Sequence, residues 1–185
     1  VTAFTLQGSV SLTGVDPTGL LAWLCPLDLP LVEAFDNPRR WPQSRPDAEG
    51  RFELGAPEPG AWRLVLKHAT PNSEWVLIDE VRLVGSRTAW ELALPTGTVV
   101  VAGLAEGDPA EDVPPLVYCW EDEAGRLYLR LLAPGRDGTC TLDHVPAGTG
   151  RLVRPSEELL LTPDAWPLAL AFEVPAGEQV RVAAP

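Results

Sequence analysis

Along most of this chain apolar and polar residues alternate. In AWRLVLK, Trp62, Leu64 and Leu66 point one way, and Arg63, Val65 and Lys67 the other. A period of two is what a half-buried strand requires. Phe52 and Leu54 repeat the pattern in FEL, as do FTLQGSVSL, WVLIDEVRL, TAWELAL, RLYLRLL and ALAFEV. No long segment keeps a helical period, and the only helical feature predicted is a short turn near Ser156. The class read from the pattern is all-β. Proline (20) and glycine (16) are spread along the chain, as suits many short strands joined by turns. In DAEGRFEL, Gly50 supplies a residue able to take positive φ, and PEPG stops one strand and redirects the chain.

The same stretch occurs twice. DAEGRFELGAPEPGAWRL, from Asp47, aligns without a gap on GRDGTCTLDHVPAGTGRL, from Gly135, at an offset of 88. Gly50 falls on Gly138, Phe52 on Cys140, Leu54 on Leu142, Gly60 on Gly148 and Leu64 on Leu152. Trp62 falls on Gly150, so one large apolar side chain is lost in the second copy. In the same order GSVSLTG matches GTVVVAG, LLAWLCPLD matches PPLVYCWED (Cys25 opposite Cys119), and WELALPTG matches LAFEVPAG. A duplication follows, with about seven strands in each copy of roughly 90 residues, the size of a small sandwich. The predicted architecture is two tandem Ig-like or prealbumin-like β-sandwiches, residues 1–95 and 96–185. LPTG, from Leu94, forms a short stiff junction. EQVRVAAP, after VPAG, either opens a third copy or supplies the strand that finishes the second sheet.

The run D-A-E-G-R-F-E-L followed by P-G-A-W-R-L resembles the carboxypeptidase regulatory-like domains. The LPTGTVVVAG junction is similar to the connection between tandem copies in that family. The resemblance covers nearly the whole chain as two copies, and is weaker in the second, where Cys140 replaces the aromatic. It implies a transthyretin-like sandwich of seven strands, on secreted, periplasmic or surface proteins, without a catalytic motif of its own. The motif is informative about fold and says little about function.

Charge narrows the partners. Net charge is −12, with 26 acidic against 14 basic residues, of which only Lys67 is lysine. So acidic a chain repels phosphate backbones, which excludes nucleic acid. No run approaches the roughly 18 apolar residues that cross a bilayer. VTAFTLQGSV has no basic region leading into an apolar core, so no signal peptide is expected there. No methionine occurs at any position, and the chain is expected to begin after processing or to be cut from a longer one.

Candidate chemistry is sparse. Three cysteines, Cys25, Cys119 and Cys140, rule out a complete set of intrachain bridges. A Cys119–Cys140 bridge is open, but buried thiols acting as small hydrophobes fit their alternating runs better. The two histidines, His68 and His144, stand outside any zinc motif. GDPAED, from Gly107, and EDEAG, from Glu121, place carboxylates in loops without EF-hand spacing; solvated turn acids are favoured over calcium. No catalytic residue, metal or cofactor is predicted. A cleft gathering Asp36 with Glu121 or Asp122 would reverse that.

Seven tryptophans against two tyrosines are unusual. Trp23, Trp62 and Trp90 sit in phase with apolar neighbours and are expected to be buried. Trp41 lies in DNPRRWPQSRPD with Arg39, Arg40 and Arg45, either as an exposed contact or as a lid on its own sandwich. With Trp120 these form the candidate contact for a protein partner or a glycan. The reading is a non-enzymatic structural or protein-interaction module of an extracellular or cell-envelope protein. It is expected to self-associate through edge strands such as VTAFTLQG and EQVRVAAP. The alternative is a polysaccharide-binding or accessory module of a larger secreted enzyme.

Overall fold

The computed structural model describes residues 4–30, 38–70, 73–104, 116–133, 135, 137–154 and 168–185. The turn near Ser156, the GDPAED acids, Asp36 and Trp166 lie outside them. The chain forms two compact units, Val1–Ala93 with Asp122–Leu127, and Leu94–Glu121 with Tyr128–Pro185. They differ from a simple split after residue 95 in that Leu94 and Pro95 belong to the second unit and the segment Asp122–Leu127 to the first.

The first unit carries β1 (Phe4–Leu12), β2 (Leu20–Pro26), β3 (Gln43–Ser44), β4 (Arg51–Ala56), β5 (Gly60–Thr70), β6 (Ser73–Leu83) and β7 (Arg87–Leu94). They make the sheet orders β4-β1-β7 and β6-β5-β2-β3. The second carries β8 (Thr96–Ala102), β9 (Val117–Glu121), β10 (Leu127–Leu131), β11 (Thr139–Pro146), β12 (Gly148–Val153), β13 (Leu168–Val174) and β14 (Gln179–Ala183). Their orders are β11-β8-β14 and β13-β12-β9-β10. Substituting β8 for β1, β9 for β2 and so on through β14 for β7 converts one description into the other. The fold is an all-β sandwich architecture.

Alternation explains the cores. Leu6, Val10 and Leu12 of β1, Phe52 and Leu54 of β4, Leu64 and Leu66 of β5, and Trp90 and Leu92 of β7 are buried. Their outward neighbours Gln7, Arg51, Glu53 and Glu91 are exposed. Each large side chain so buried contributes about 1.5–3 kcal/mol. Val65 departs from the half-buried pattern and is fully buried with Trp23 and Cys25, because Leu21, Leu29 and Trp41 pack over that face.

The repeated turns match bond for bond. Asp47 N–H donates to Arg51 O (2.9 Å) and Gly50 N–H to Asp47 O (2.9 Å); 88 residues on, Gly135 donates to Thr139 O (2.7 Å) and Gly138 to Gly135 O (3.1 Å). Gly50 and Gly138 both have positive φ, 78° and 67°. The volume lost where Gly150 replaces Trp62 is refilled by Tyr118, whose ring lies 2.5 Å from where a Cβ at Gly150 would sit.

Two expectations fail. WELALPTG belongs to β7, whereas LAFEVPAG belongs to β13, which takes the place of β6 in its sheet. Gly60 pairs with Leu83 and Gly148 with Val174, so LAFEV is the counterpart of the end of β6. Short apolar runs ending in Pro-x-Gly look alike wherever a strand ends. The N-terminal strand β1 is also no edge, since it lies between β4 and β7. EQVRVAAP supplies β14, which runs parallel to β8 from Gln179↔Thr98 to Ala183↔Ala102 and finishes the second sheet.

Candidate functional site

The segment that carries Trp41 is tied to the sheet beneath it. A 3-10 turn at Pro38–Arg40 precedes it, and Trp41 N–H donates to Pro38 O (3.1 Å). Leu24 N–H donates to Pro42 O (3.1 Å), and β3 pairs Gln43 with Trp23 and Ser44 with Ala22. Arg63, which points outward from β5, donates to Leu27 O (2.8 Å) and Leu29 O (2.5 Å). Trp41 is therefore half-buried on the Trp23–Cys25–Val65 cluster, the lid arrangement rather than an exposed contact. Arg39 and Arg40 are exposed beside it, and Arg45 is exposed further along the segment.

Arg45 reaches a shallow groove of about 740 Å³, lined also by Gln7, Ser9, Arg51, Glu53 and Glu91. Much of its polar capacity is already used. Gln7 donates to Glu53 Oε2 (3.3 Å), and Arg51 pairs with Asp47 (3.0 Å) and Glu49 (3.0 Å). Trp41 is not among the lining residues, so the predicted set of Trp41 with three arginines does not converge there. Trp120 is a correction. It is 5% exposed and its Nε1 donates to Ala147 O (3.0 Å), so it offers no face to a glycan or protein.

The acidic stretch after β9 is a turn with a known build in this chain. Asp122 Oδ1 accepts from Ala124 N–H (2.9 Å) and Arg126 N–H (2.9 Å), as Asp47 Oδ1 accepts from Glu49 (3.0 Å) and Arg51 (2.8 Å). Glu121 is paired with Arg151 (2.9 Å). These carboxylates are engaged in turn geometry and ion pairs, and among the described residues no three His, Cys, Asp or Glu gather to hold a metal. His68 stacks on Trp75 with centroids 5.4 Å apart, and His144, at φ 57°, sits in the bulge of β11 between Leu142 and Val145.

All three thiols are free and buried. Cys25 Sγ lies 3.8 Å from Arg63 O, and Cys119 Sγ 3.8 Å from the Arg151 guanidinium, Arg63 and Arg151 being 88 residues apart. Burial raises the pKa of Cys25 and Cys140 and pushes Cys119 up to about 11, against the pull of the neighbouring arginines. A thiol needs its thiolate to act as nucleophile. Iodoacetamide at pH 8 is accordingly expected to label none of the three in the folded protein and all three in urea. Intact-mass spectrometry reads this, and rapid native labelling of Cys119 would contradict it.

The strongest polar arrangement was absent from the candidates drawn from sequence. Asp79, 8% exposed, receives Trp90 Nε1–H at 2.6 Å and pairs with Arg126 at 3.2 Å, both at Oδ2. Arg126 also reaches Asp122 (3.4 Å). In WVLIDEVRL the inward positions are Trp75, Leu77, Asp79, Val81 and Leu83, so a lone acid in the buried phase was the readable signal.

No family model matches the chain, and no curated protein matches it. Among solved structures it is similar to the minor pilin of Streptococcus agalactiae, at 12% identity over 97% of this chain and 94% of that one, with a TM-score of 0.42. A Bacteroides ovatus protein described as an adhesin gives 14% identity over 100% and 93%, at 0.34. The shaft pilin of Lactobacillus rhamnosus GG gives 9% over 99% and 98%, at 0.27. Such remote likenesses assign the chain to no family. Among the described residues no helix is long and apolar enough to cross a membrane.

Proposed function

We propose that the chain is a non-enzymatic structural and protein-contact module of an extracellular or cell-envelope protein, built as two copies of one sandwich. The supporting observation is the contrast between its interior and its sheet edges. The thiols, the buried carboxylate Asp79 and the indole N–H groups of Trp62, Trp90 and Trp120 are held by folding contacts. The three-stranded sheets, in contrast, end on β4 and β7 in one unit and on β11 and β14 in the other. Open edges bind other polypeptides through main-chain hydrogen bonds. The envelope setting rests on the resemblance to carboxypeptidase regulatory-like domains.

A photo-crosslinking amino acid placed at Ala89 or Ala183, both exposed on edge strands, tests the reading. Sequenced adducts with a polypeptide strand are expected from these positions and not from Glu123 in a turn. Adducts confined to small molecules or glycans would overturn it. The glycan alternative is less supported, since Trp120 is buried and Trp41 is half-buried on its own sheet, which leaves it a partly covered indole beside exposed arginines.

A further inference from the structure

We infer that the open edge of β7 pairs antiparallel with β7 of a second copy of this chain, in a register centred on Ala89. The inference rests on the protein-contact reading above and names its partner. Ser86 O accepts from Thr5 N–H (3.1 Å), which turns residue 86 toward β1. Peptide groups along a strand alternate in direction, so those of Arg87, Ala89 and Glu91 face the open edge. An antiparallel partner bonds through facing residues of that set. The register centred on Ala89 sets Arg87 opposite Glu91, Ala89 opposite itself and Glu91 opposite Arg87.

Side chains agree with this register. Arg87, Ala89 and Glu91 are exposed and lie on one face, while Thr88 and Trp90 lie on the other, so both faces continue across the junction. Neither Arg87 nor Glu91 has an ion-pair partner among the described residues. Charges on an edge strand commonly repel other strands. Here they have opposite sign and stand symmetrically about Ala89, so a two-fold arrangement turns two guards into two cross-strand ion pairs.

The other described edges are less suited. β3 has two residues, β11 is bulged, the charges of β4 are engaged with Gln7, Asp47 and Glu49, and Glu173 of β13 is engaged by Thr149. Centring β14 on itself opposes Arg181 to Arg181. Heterologous pairing of β7 with another edge does not bring its two charges together.

Sedimentation equilibrium of the full chain, from about 10 µM to about 1 mM, spans the weak affinities expected of so small a contact. A reversible dimer is expected. Arg87→Glu or Glu91→Arg should each weaken it by about tenfold or more, because like charges then face each other. The double swap Arg87→Glu with Glu91→Arg should restore it. Ala89→Pro should abolish it while keeping the folded circular dichroism spectrum, since the lost N–H faces the open edge. A strict monomer throughout, a dimer indifferent to single reversals, or failure of the double swap to restore association would each overturn the inference. Edge cross-links to a different polypeptide with a monomeric chain would sink this pairing and leave the protein-contact reading standing.

Discussion

Replacing Asp79 by alanine is expected to lower the unfolding free energy by about 3 kcal/mol, as measured by the urea midpoint and slope. Two effects combine. Trp90 Nε1–H loses a 2.6 Å charge-assisted acceptor inside the sandwich, and Arg126 loses the more buried of its two carboxylate partners. Arg126 keeps some access to water, with its side chain 27% exposed, which holds the loss toward the low end of what breaking a buried pair costs. Arg126→Leu should cost less than Asp79→Ala, because Asp79 then retains the indole donor. Adding Asp79→Ala to a Trp90→Phe, Arg126→Leu background should cost much less than in the native chain, since both its partners are gone. A loss below about 0.5 kcal/mol for Asp79→Ala would place it among ordinary surface changes and contradict the network.

This network shows where sequence reading stops. The alternation that placed Leu64, Leu66, Trp62 and Trp90 inside needed only strand period, and the structure buries all four. The same period puts Asp79 inside too, but its partners lie 11 and 47 residues away and no spacing rule links them. Arg126 was within reach of the sequence. DEAGR at Asp122 is nearly DAEGR at Asp47, and both fold as a turn whose aspartate caps two amides and holds the arginine. Read only as an acidic cluster, the stretch gives solvated turn acids; read as a turn like that at Asp47, it supplies Arg126 to Asp79. Edges were harder still. Whether VTAFTLQG lies at an edge depends on which strands flank it, and that comes from long-range pairing that alternation does not encode. Trp41 stands in a polar, proline-rich stretch and Trp120 within an alternating run, and the exposure of each depends on what packs back over it.

The duplicated turns yield the second large effect, and a comparison internal to one chain. Gly50→Ala is expected to destabilise the first unit by about 3 kcal/mol, of which about 1–2 kcal/mol is the cost of a side chain in the left-handed region. The rest is steric. A Cβ at Gly50 would lie 2.0 Å from Val10 O, a main-chain atom inside β1, one residue past the last β1–β4 pair of Ser9 with Arg51. Val10 N–H also donates to Gly50 O (3.0 Å), so the turn cannot retreat without losing that bond. Gly138→Ala meets the same strain at φ 67°, and its turn is held by the matching bond from Leu104 N–H to Gly138 O (2.9 Å), but its Cβ would stand 2.7 Å from Leu104 O, two residues past the end of β8 rather than inside a strand. It should therefore cost less than Gly50→Ala by about 1 kcal/mol, because a smaller shift relieves the contact. Thermal unfolding of the two single variants, each against the parent chain, decides the order. Equal losses would mean that φ alone governs both turns. A larger loss at Gly138 would show that the two units, alike in strand order and turn bonds, are not alike in how tightly their turns are packed.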